Sequence, residues 1–432
     1  MKRKILSELL AWKNRNHRMP LVLSGARQVG KTYIVSQFGK ENFENTIYLN
    51  MEIEQSLSRF LETEMSPDKI LRFIEILKAE KITAGRTLIF FDEIQASERA
   101  LNSLKYFSEQ TPQYHIVAAG SLLGVAVNRE KYSYPVGKVE ELTLYPLDFE
   151  EFLWAAGKTE LATEIRLHYS ENSMMPEALH AMAINMYKTY FITGGMPAAI
   201  TDYIESNSLI TVQQTQNTIF NQYIADMAKY ADSSTSVKIR ACYNSIPAQL
   251  AKENTKFQYK VVRRGGTAAI FGEAIDWLIF AGIALKCQRL EHGLIPIDAY
   301  ADLSDFKLYM GDIGMLTLRS GMPLQIILSE INEDNTYLGA MTENYVAQAL
   351  ATNGHRLYYW QSDGKAEVDF ILQSEKGAVP VEVKTGRRTR SKSLGVFAEK
   401  YSSPYSIRIS KKNFGFENGI KSIPLYAVFC IK

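Results

Sequence analysis

One stretch of eight residues constrains this chain more than any other. Gly25-Ala26-Arg27-Gln28-Val29-Gly30-Lys31-Thr32 follows the apolar run Leu21-Val22-Leu23 and leads into a helical pattern at 33–38. A strand, a glycine-bounded loop and a helix in that order turn backbone N–H groups inward around an anion, at the positive end of the helix dipole. Gly25 and Gly30 permit the turn, Lys31 reaches the terminal phosphates of a nucleotide, and Thr32 offers its hydroxyl to Mg²⁺. The stretch predicts a phosphate-binding loop on a parallel sheet, with ATP and Mg²⁺ as its ligands.

The sheet is legible around it. Runs at 47–49, 88–91 and 116–119 are continuously apolar, as strands covered on both faces are, and amphipathic stretches at 33–38, 66–81 and 99–110 separate them. Residues 1–146 are therefore expected to form an α/β domain. The run Leu88-Ile89-Phe90-Phe91 ends in Asp92 and Glu93, and ligands bind at the carboxyl ends of such strands. Asp92 is expected to hold Mg²⁺ and Glu93 to orient and deprotonate the attacking water. Capping of the next helix is the plainer alternative for both. Ser121, after the run 116–120, is a candidate to sense the γ-phosphate, although polar residues at strand ends also make ordinary turns.

A chain of 432 residues has room for about three domains. Residues 147–232 read as a helical extension, broken at Thr193-Gly194-Gly195-Met196-Pro197. In residues 233–316, helical patterns at 241–252 and 267–282 precede extended segments at 285–289 and 306–309, an order that suggests a winged helix. Residues 317–432 return to α/β. The formal net charge of +2 gives no bulk attraction for anions, so DNA would have to be met by local patches. One is Lys252, Lys256, Lys260, Arg263 and Arg264, interleaved with Phe257 and Tyr259; the other is Arg387, Arg388, Arg390 and Lys392. Both suit sequence-independent phosphate contacts. The first stands equally for packing between domains, because the helical pattern after it carries Glu273 and Asp276 and no Arg or Lys; for the second a solvated loop is the plainer alternative.

Cys242, Cys287 and Cys430 are odd in number and far apart, which argues against a disulfide framework and for a reducing cytosol. No Cys/His spacing suits zinc. Lys2, Arg3 and Lys4 resemble the start of a secretion signal, but Ser7, Glu8 and Lys13 interrupt the apolar run that should follow, so an amphipathic helix is expected. The apolar stretches at 115–127 and 277–287 are too short to span a bilayer, and a cytoplasmic protein without membrane contact is the expectation.

A second constellation lies near the end. Alternation along 366–372 puts Glu367 and Asp369 on one face, and alternation along 379–384 puts Glu382 and Lys384 opposite the valines at 379, 381 and 383. The spacing of Asp369, Glu382 and Lys384 is the D…ExK pattern of the restriction-endonuclease-like fold. Glu343 joins it from the apolar stripe of a helical pattern at 339–351, where an inward carboxylate needs a partner. Glu343, Asp369 and Glu382 are candidate metal ligands and Lys384 the candidate catalytic lysine for phosphodiester hydrolysis. A surface ion pair between Glu382 and Lys384 is the plainer alternative.

At these residues the chain resembles the AAA-like P-loop ATPases of bacteria and archaea that carry a C-terminal domain of unknown function. The resemblance rests on GARQVGKT at 25–32, FFDEIQ at 90–95, AAGS at 118–121 and LYPLDFEEFL at 144–153. It continues through GGMPAAI at 194–200, SIPAQLAKENTKF at 245–257, FKLYMGDIGML at 306–316, and the AEVDF and VEVK segments near the end. It implies ATP and Mg²⁺ binding by Lys31, Thr32, Asp92 and Glu93, and an arginine finger after the sensor strand. Arg129 is the candidate for that finger, whereas Lys138 offers a lysine that cannot make bidentate contacts. The combined expectation is an ATPase, open to oligomerisation, whose nucleotide state controls a winged-helix and nuclease-like module acting on DNA. The alternative is a signalling or scaffold ATPase whose C-terminal core binds protein or nucleic acid without cutting.

Overall fold

The computed structural model describes residues 1–120, 135–231, 233–252, 255–329, 335–362, 366–385 and 392–432. The chain divides into two compact units, residues 2–145 with 280–282, and residues 146–279 with 283–432.

Five parallel strands organise the first unit: β1 (Leu21–Ser24), β2 (Asn45–Asn50), β3 (Thr87–Asp92), β4 (His115–Ala119) and β5 (Glu140–Thr143), in the order β2-β3-β4-β1-β5. Parallel neighbours need crossovers, which the helices Lys31–Asn42, Gln55–Thr63, Pro67–Lys78 and Glu98–Gln110 supply. The central strands β3, β4 and β1 are buried along their whole length. Each large side chain so covered, Phe90 and Phe91 among them, contributes roughly 1.5–3 kcal/mol. β2 departs from the expected continuous burial because it lies at the sheet edge: Ile47 and Leu49 are buried while Tyr48 between them is exposed. β5 is too short and polar to read as a strand, yet it pairs along the whole of β1. The N-terminal segment forms a helix, Ile5–Lys13, with Ile5, Leu9 and Trp12 on its buried face.

The second unit begins with helices and ends with two sheets. Glu177–Thr193 stops at Gly194 (φ +68°), where a Cβ would lie 2.3 Å from Asp312 Oδ1 and 2.8 Å from Gly314 Cα. The next residue, Gly195, donates its N–H to Asp312 Oδ2 at 2.6 Å, and Asp312 caps the helix Ile313–Ser320 by accepting from Met315 N at 3.0 Å. Burial raises the Asp312 carboxyl to about 6, against the pull of these N–H donors. The two glycine-containing segments singled out in the sequence, 194–200 and 306–316, thus lock to each other.

One sheet contains β6 (Ala284–Leu290), β7 (Ala301–Met310), β8 (Tyr358–Gln361) and β9 (Glu367–Val368), in the order β7-β6-β8-β9. The other contains β10 (Phe370–Ser374), β11 (Gly377–Val383), β12 (Ser406–Ser410), β13 (Gly415–Glu417) and β14 (Ile420–Pro424), in the order β10-β11-β12-β14-β13. The expected boundary at 316/317 falls between strands of one sheet. β6 pairs antiparallel with β7 on one side and parallel with β8 on the other, so the segments read as a wing are half of a sheet completed beyond residue 317. A free wing has an open edge; β6 has none. The expected boundary at 232/233 likewise falls inside one compact unit. No described helix is long and apolar enough to cross a membrane.

Candidate functional site

The loop between β1 and the helix Lys31–Asn42 is held from three sides. Gly25 approaches the residue that follows β5 so closely that a Cβ would lie 2.2 Å from Leu144 O, and Gln28 (φ +65°) and Gly30 (φ +95°) turn the backbone through left-handed conformations. Beneath it Arg3, almost wholly buried, donates to Val29 O at 2.9 Å and Tyr145 O at 2.6 Å. A basic cluster that reads as the start of a secretion signal thus contributes a strut to the phosphate loop. Lys31 Nζ donates to Gly25 O at 3.0 Å and Ala26 O at 2.9 Å, and burial lowers its ammonium to about 8 although Glu93 and Asp92 favour the charge.

β3 delivers Asp92 to the same place. Thr32 Oγ1 donates to Asp92 Oδ2 at 2.8 Å, and Tyr48 from β2 donates its phenol to that same oxygen at 2.9 Å. Glu93 follows in a left-handed conformation (φ +49°) and accepts from Gln95 Nε2. Neither carboxylate caps the following α-helix: Ser97 does, its Oγ accepting from Ala100 N at 3.2 Å. Ser121 and Arg129 lie outside the described residues; Lys138 pairs with Glu109 at 2.9 Å.

In the second unit the antiparallel register Phe370↔Val381 sets Asp369 opposite Glu382, and Asp369 Oδ2 accepts from Val383 N at 2.7 Å. Lys384 forms an ion pair with Glu382, whose Oε2 is buried without a hydrogen-bond partner among the described residues. Burial, with Glu343 and Glu382 nearby, holds the Asp369 carboxyl well above its usual range. Asp369, Glu382 and Lys384 therefore meet. Glu343, in the helix Thr336–Thr352, is taken up differently from the expectation: its Oε1 accepts from Lys307 Nζ at 2.8 Å and from the Tyr309 phenol. Lys307 also donates to Glu367 Oε1 at 2.7 Å. Among the described residues no group of three His, Cys, Asp or Glu side chains is arranged to hold a metal ion, and Glu343, expected as a ligand beside Asp369 and Glu382, is engaged otherwise. An internal ammonium engages one of the three instead.

Of the first basic patch, Lys252, Lys260, Arg263 and Arg264 are exposed, whereas Lys256 is tied to Asp305 at 2.6 Å. Arg387, Arg388 and Arg390 lie outside the described residues, and the exposed Lys392 opens the helix Lys392–Tyr401.

Comparison with known families covers the stretch that holds the first of these sites. The profile described as "AAA domain" matches residues 17–153. The chain carries an AAA-like P-loop ATPase domain. Two further profiles, both described as domains of unknown function (DUF8612 and DUF4143), match residues 184–325 and 338–428. No curated protein matches the chain. Among solved structures it is similar to a Walker-type ATPase of Pyrococcus abyssi, at 14% identity over 74% of this chain and 95% of that one, with a TM-score of 0.43. It is also similar to the Aeropyrum pernix Orc1 protein in complex with DNA (13% identity, 75% and 92%, TM-score 0.29). A third is Thermotoga maritima RuvB (14%, 65% and 86%, TM-score 0.30). These likenesses are too loose to transfer a partner or a substrate.

Sequence reasoning missed three side chains that shape the two sites. Tyr48 is an aromatic one residue from the end of β2's apolar run, and only the pairing of β2 with β3 shows that it reaches Asp92. Arg3 is hidden by its basic neighbours. Lys307 left a trace, a lone charge inside Phe306-Lys307-Leu308-Tyr309-Met310, a run otherwise fit for a buried strand.

Proposed function

We propose that this protein is an Mg²⁺-dependent ATP-hydrolysing switch whose nucleotide state governs residues 146–432, and that these contact DNA through exposed basic residues without cutting it. The observation that carries the ATPase half is the 2.8 Å hydrogen bond from Thr32 Oγ1 to Asp92 Oδ2, which joins the phosphate loop to the strand-end carboxylate. Hard oxygen donors of this kind suit Mg²⁺, and the left-handed turns at Gln28 and Gly30 suit a cradle of N–H groups. Bound Mg²⁺ would supply charge neutralisation at the β- and γ-phosphates. Thr32 and Asp92 would hold it. Lys31 exchanges the carbonyls of Gly25 and Ala26 for phosphate oxygens, and Glu93 orients the attacking water and takes its proton. Ser121 acts as γ-phosphate sensor in this reading.

The DNA half rests on Lys252, Lys260, Arg263 and Arg264, exposed cations suited to sequence-independent phosphate contact. The meeting of Asp369, Glu382 and Lys384 favours a second reading, cleavage of the phosphodiester, in which these act as ligands and catalytic lysine. The Lys307 ammonium beside Glu343 favours binding without cleavage. One experiment separates them. Wild type and Lys384→Ala are incubated with linear and supercoiled DNA, with Mg²⁺ or Mn²⁺, with and without ATP, while phosphate release and DNA retention are followed. Hydrolysed ATP and retained, intact DNA support the proposal. Metal-dependent cutting lost in Lys384→Ala supports the second reading, and failure to retain DNA overturns the DNA half of both.

A further inference from the structure

The carboxylate cluster of the second unit poses a problem of charge. Glu343, Glu382 and the neighbouring pair Glu367 and Asp369 come from three separate segments, and Glu343 and Glu382 both act on Asp369 electrostatically. Carboxylates gathered at a largely buried site, with Glu367 at its exposed margin, require a cation. Lys307 is that cation: it enters from β7 with its side chain 2% exposed. Its Nζ lies 2.8 Å from Glu343 Oε1, 2.7 Å from Glu367 Oε1 and 4.9 Å from the centre of the Tyr359 ring. Two carboxylates and an aromatic face therefore surround a group with three N–H donors. Burial opposes its charge, but Glu343, Glu367 and Asp369 prevail and hold the ammonium well above the ordinary lysine range. The Tyr309 phenol donates to the same Glu343 oxygen, which leaves that oxygen with two donors and little capacity for a third partner.

We infer that Lys307 is a built-in counter-cation, and that its ammonium stands where a metal-dependent nuclease of this strand pattern would need a divalent ion. The inference rests on reading Asp369, Glu382 and Lys384 as a nuclease-like face and gives a physical reason for that face not to cut. Lys307 is a positioning residue: it fixes Glu343 and Glu367, and the module holds its shape without metal.

The test is Mn²⁺ binding, read by electron paramagnetic resonance on the full-length chain without nucleotide. All samples carry Asp92→Asn, so that the phosphate-loop site contributes nothing. The chain with Lys307 intact is expected to bind no Mn²⁺ that Asp369→Asn removes, up to millimolar metal. Lys307→Met, of similar length and without charge, is expected to gain a saturable Mn²⁺ signal that a further Glu382→Gln abolishes. Mn²⁺ bound with Lys307 intact and lost in Asp369→Asn would overturn the inference. So would a folded Lys307→Met chain that binds none, since the carboxylates would then form no cation site. If Lys307→Met does not fold, the comparison of the intact-Lys307 chain with Asp369→Asn still decides. DNA retention and cleavage, followed separately with Asp92 intact, report on the proposed function, so the two can fail independently.

Discussion

Gly25→Ala should separate catalysis from folding in the ATPase domain. An added Cβ would lie 2.2 Å from Leu144 O and 3.3 Å from Val29 Cγ2. Carbon–oxygen contacts settle near 3.3–3.6 Å, so the loop must retreat by roughly 1 Å. Overpacking of this kind costs about 1–3 kcal/mol, and the glycine-favouring φ of +154° adds about 1 kcal/mol. The total lies below the roughly 5–15 kcal/mol by which domains are stable, so the unit should remain folded. Catalysis is less tolerant. Gly25 O is one of the two carbonyls that Lys31 Nζ engages, and a catalytic group displaced by about 1 Å can lose about 100-fold in rate. Steady-state phosphate release, with circular dichroism on the same samples, should therefore show kcat/KM down by about two orders of magnitude and a lower but still cooperative melt. Wild-type turnover in Gly25→Ala would refute the reasoning, because the close approach to Leu144 would then not set the loop.

Three further outcomes follow from single contacts. Tyr48→Phe removes one of two donors on Asp92 Oδ2, so the Mg²⁺ concentration giving half-maximal hydrolysis should fall by up to about tenfold, as a metal titration of ATPase rate would show. His115 sits between Trp12 and Phe43, and burial, helped by Arg18, lowers its imidazole to about 4. Its folded value is depressed from 6.5, so its contribution is full above that pH and is lost as pH falls toward 4; denaturant melts should weaken across this window by up to about 3 kcal/mol, and a His115→Phe chain should lack that slope. Asp312→Asn keeps one acceptor and turns an amide toward a backbone N–H of Gly195 or Met315, which should cost about 1–3 kcal/mol in denaturant unfolding of the second unit.

The phosphate loop and the Asp92-Glu93 pair were readable because their chemistry is local in sequence: strand, turn, helix and strand-end charge each occupy a few consecutive residues. The strand runs at 88–91 and 116–119 were readable for a related reason, since full burial forces continuous apolarity. What was not readable depends on register. Asp369 and Glu382 could be placed on one face by alternation, but nothing along the chain says that Lys307 from β7 arrives beside Glu343. Nor does local pattern distinguish a wing from a sheet half. Leu285 and Phe306 look alike in either, and the pairing of β6 with β8 joins segments about seventy residues apart. Arg3 and Tyr48 were missed because an arginine among basic neighbours and a tyrosine inside an apolar run each have a commoner explanation than supporting a nucleotide site.

The central claim is that Thr32, Asp92 and Glu93 form one hydrolytic site around the phosphate loop. Its most direct test is the Mg²⁺-dependent rate of ATP hydrolysis by wild type, Asp92→Asn and Glu93→Gln, with nucleotide binding followed by a fluorescent ATP analogue. The account predicts Mg²⁺-dependent turnover by wild type. Glu93→Gln should still bind nucleotide but hydrolyse it at least about 100-fold more slowly, the scale of a lost general base, and Asp92→Asn should lose Mg²⁺ dependence together with turnover. Undiminished hydrolysis by both variants would contradict it.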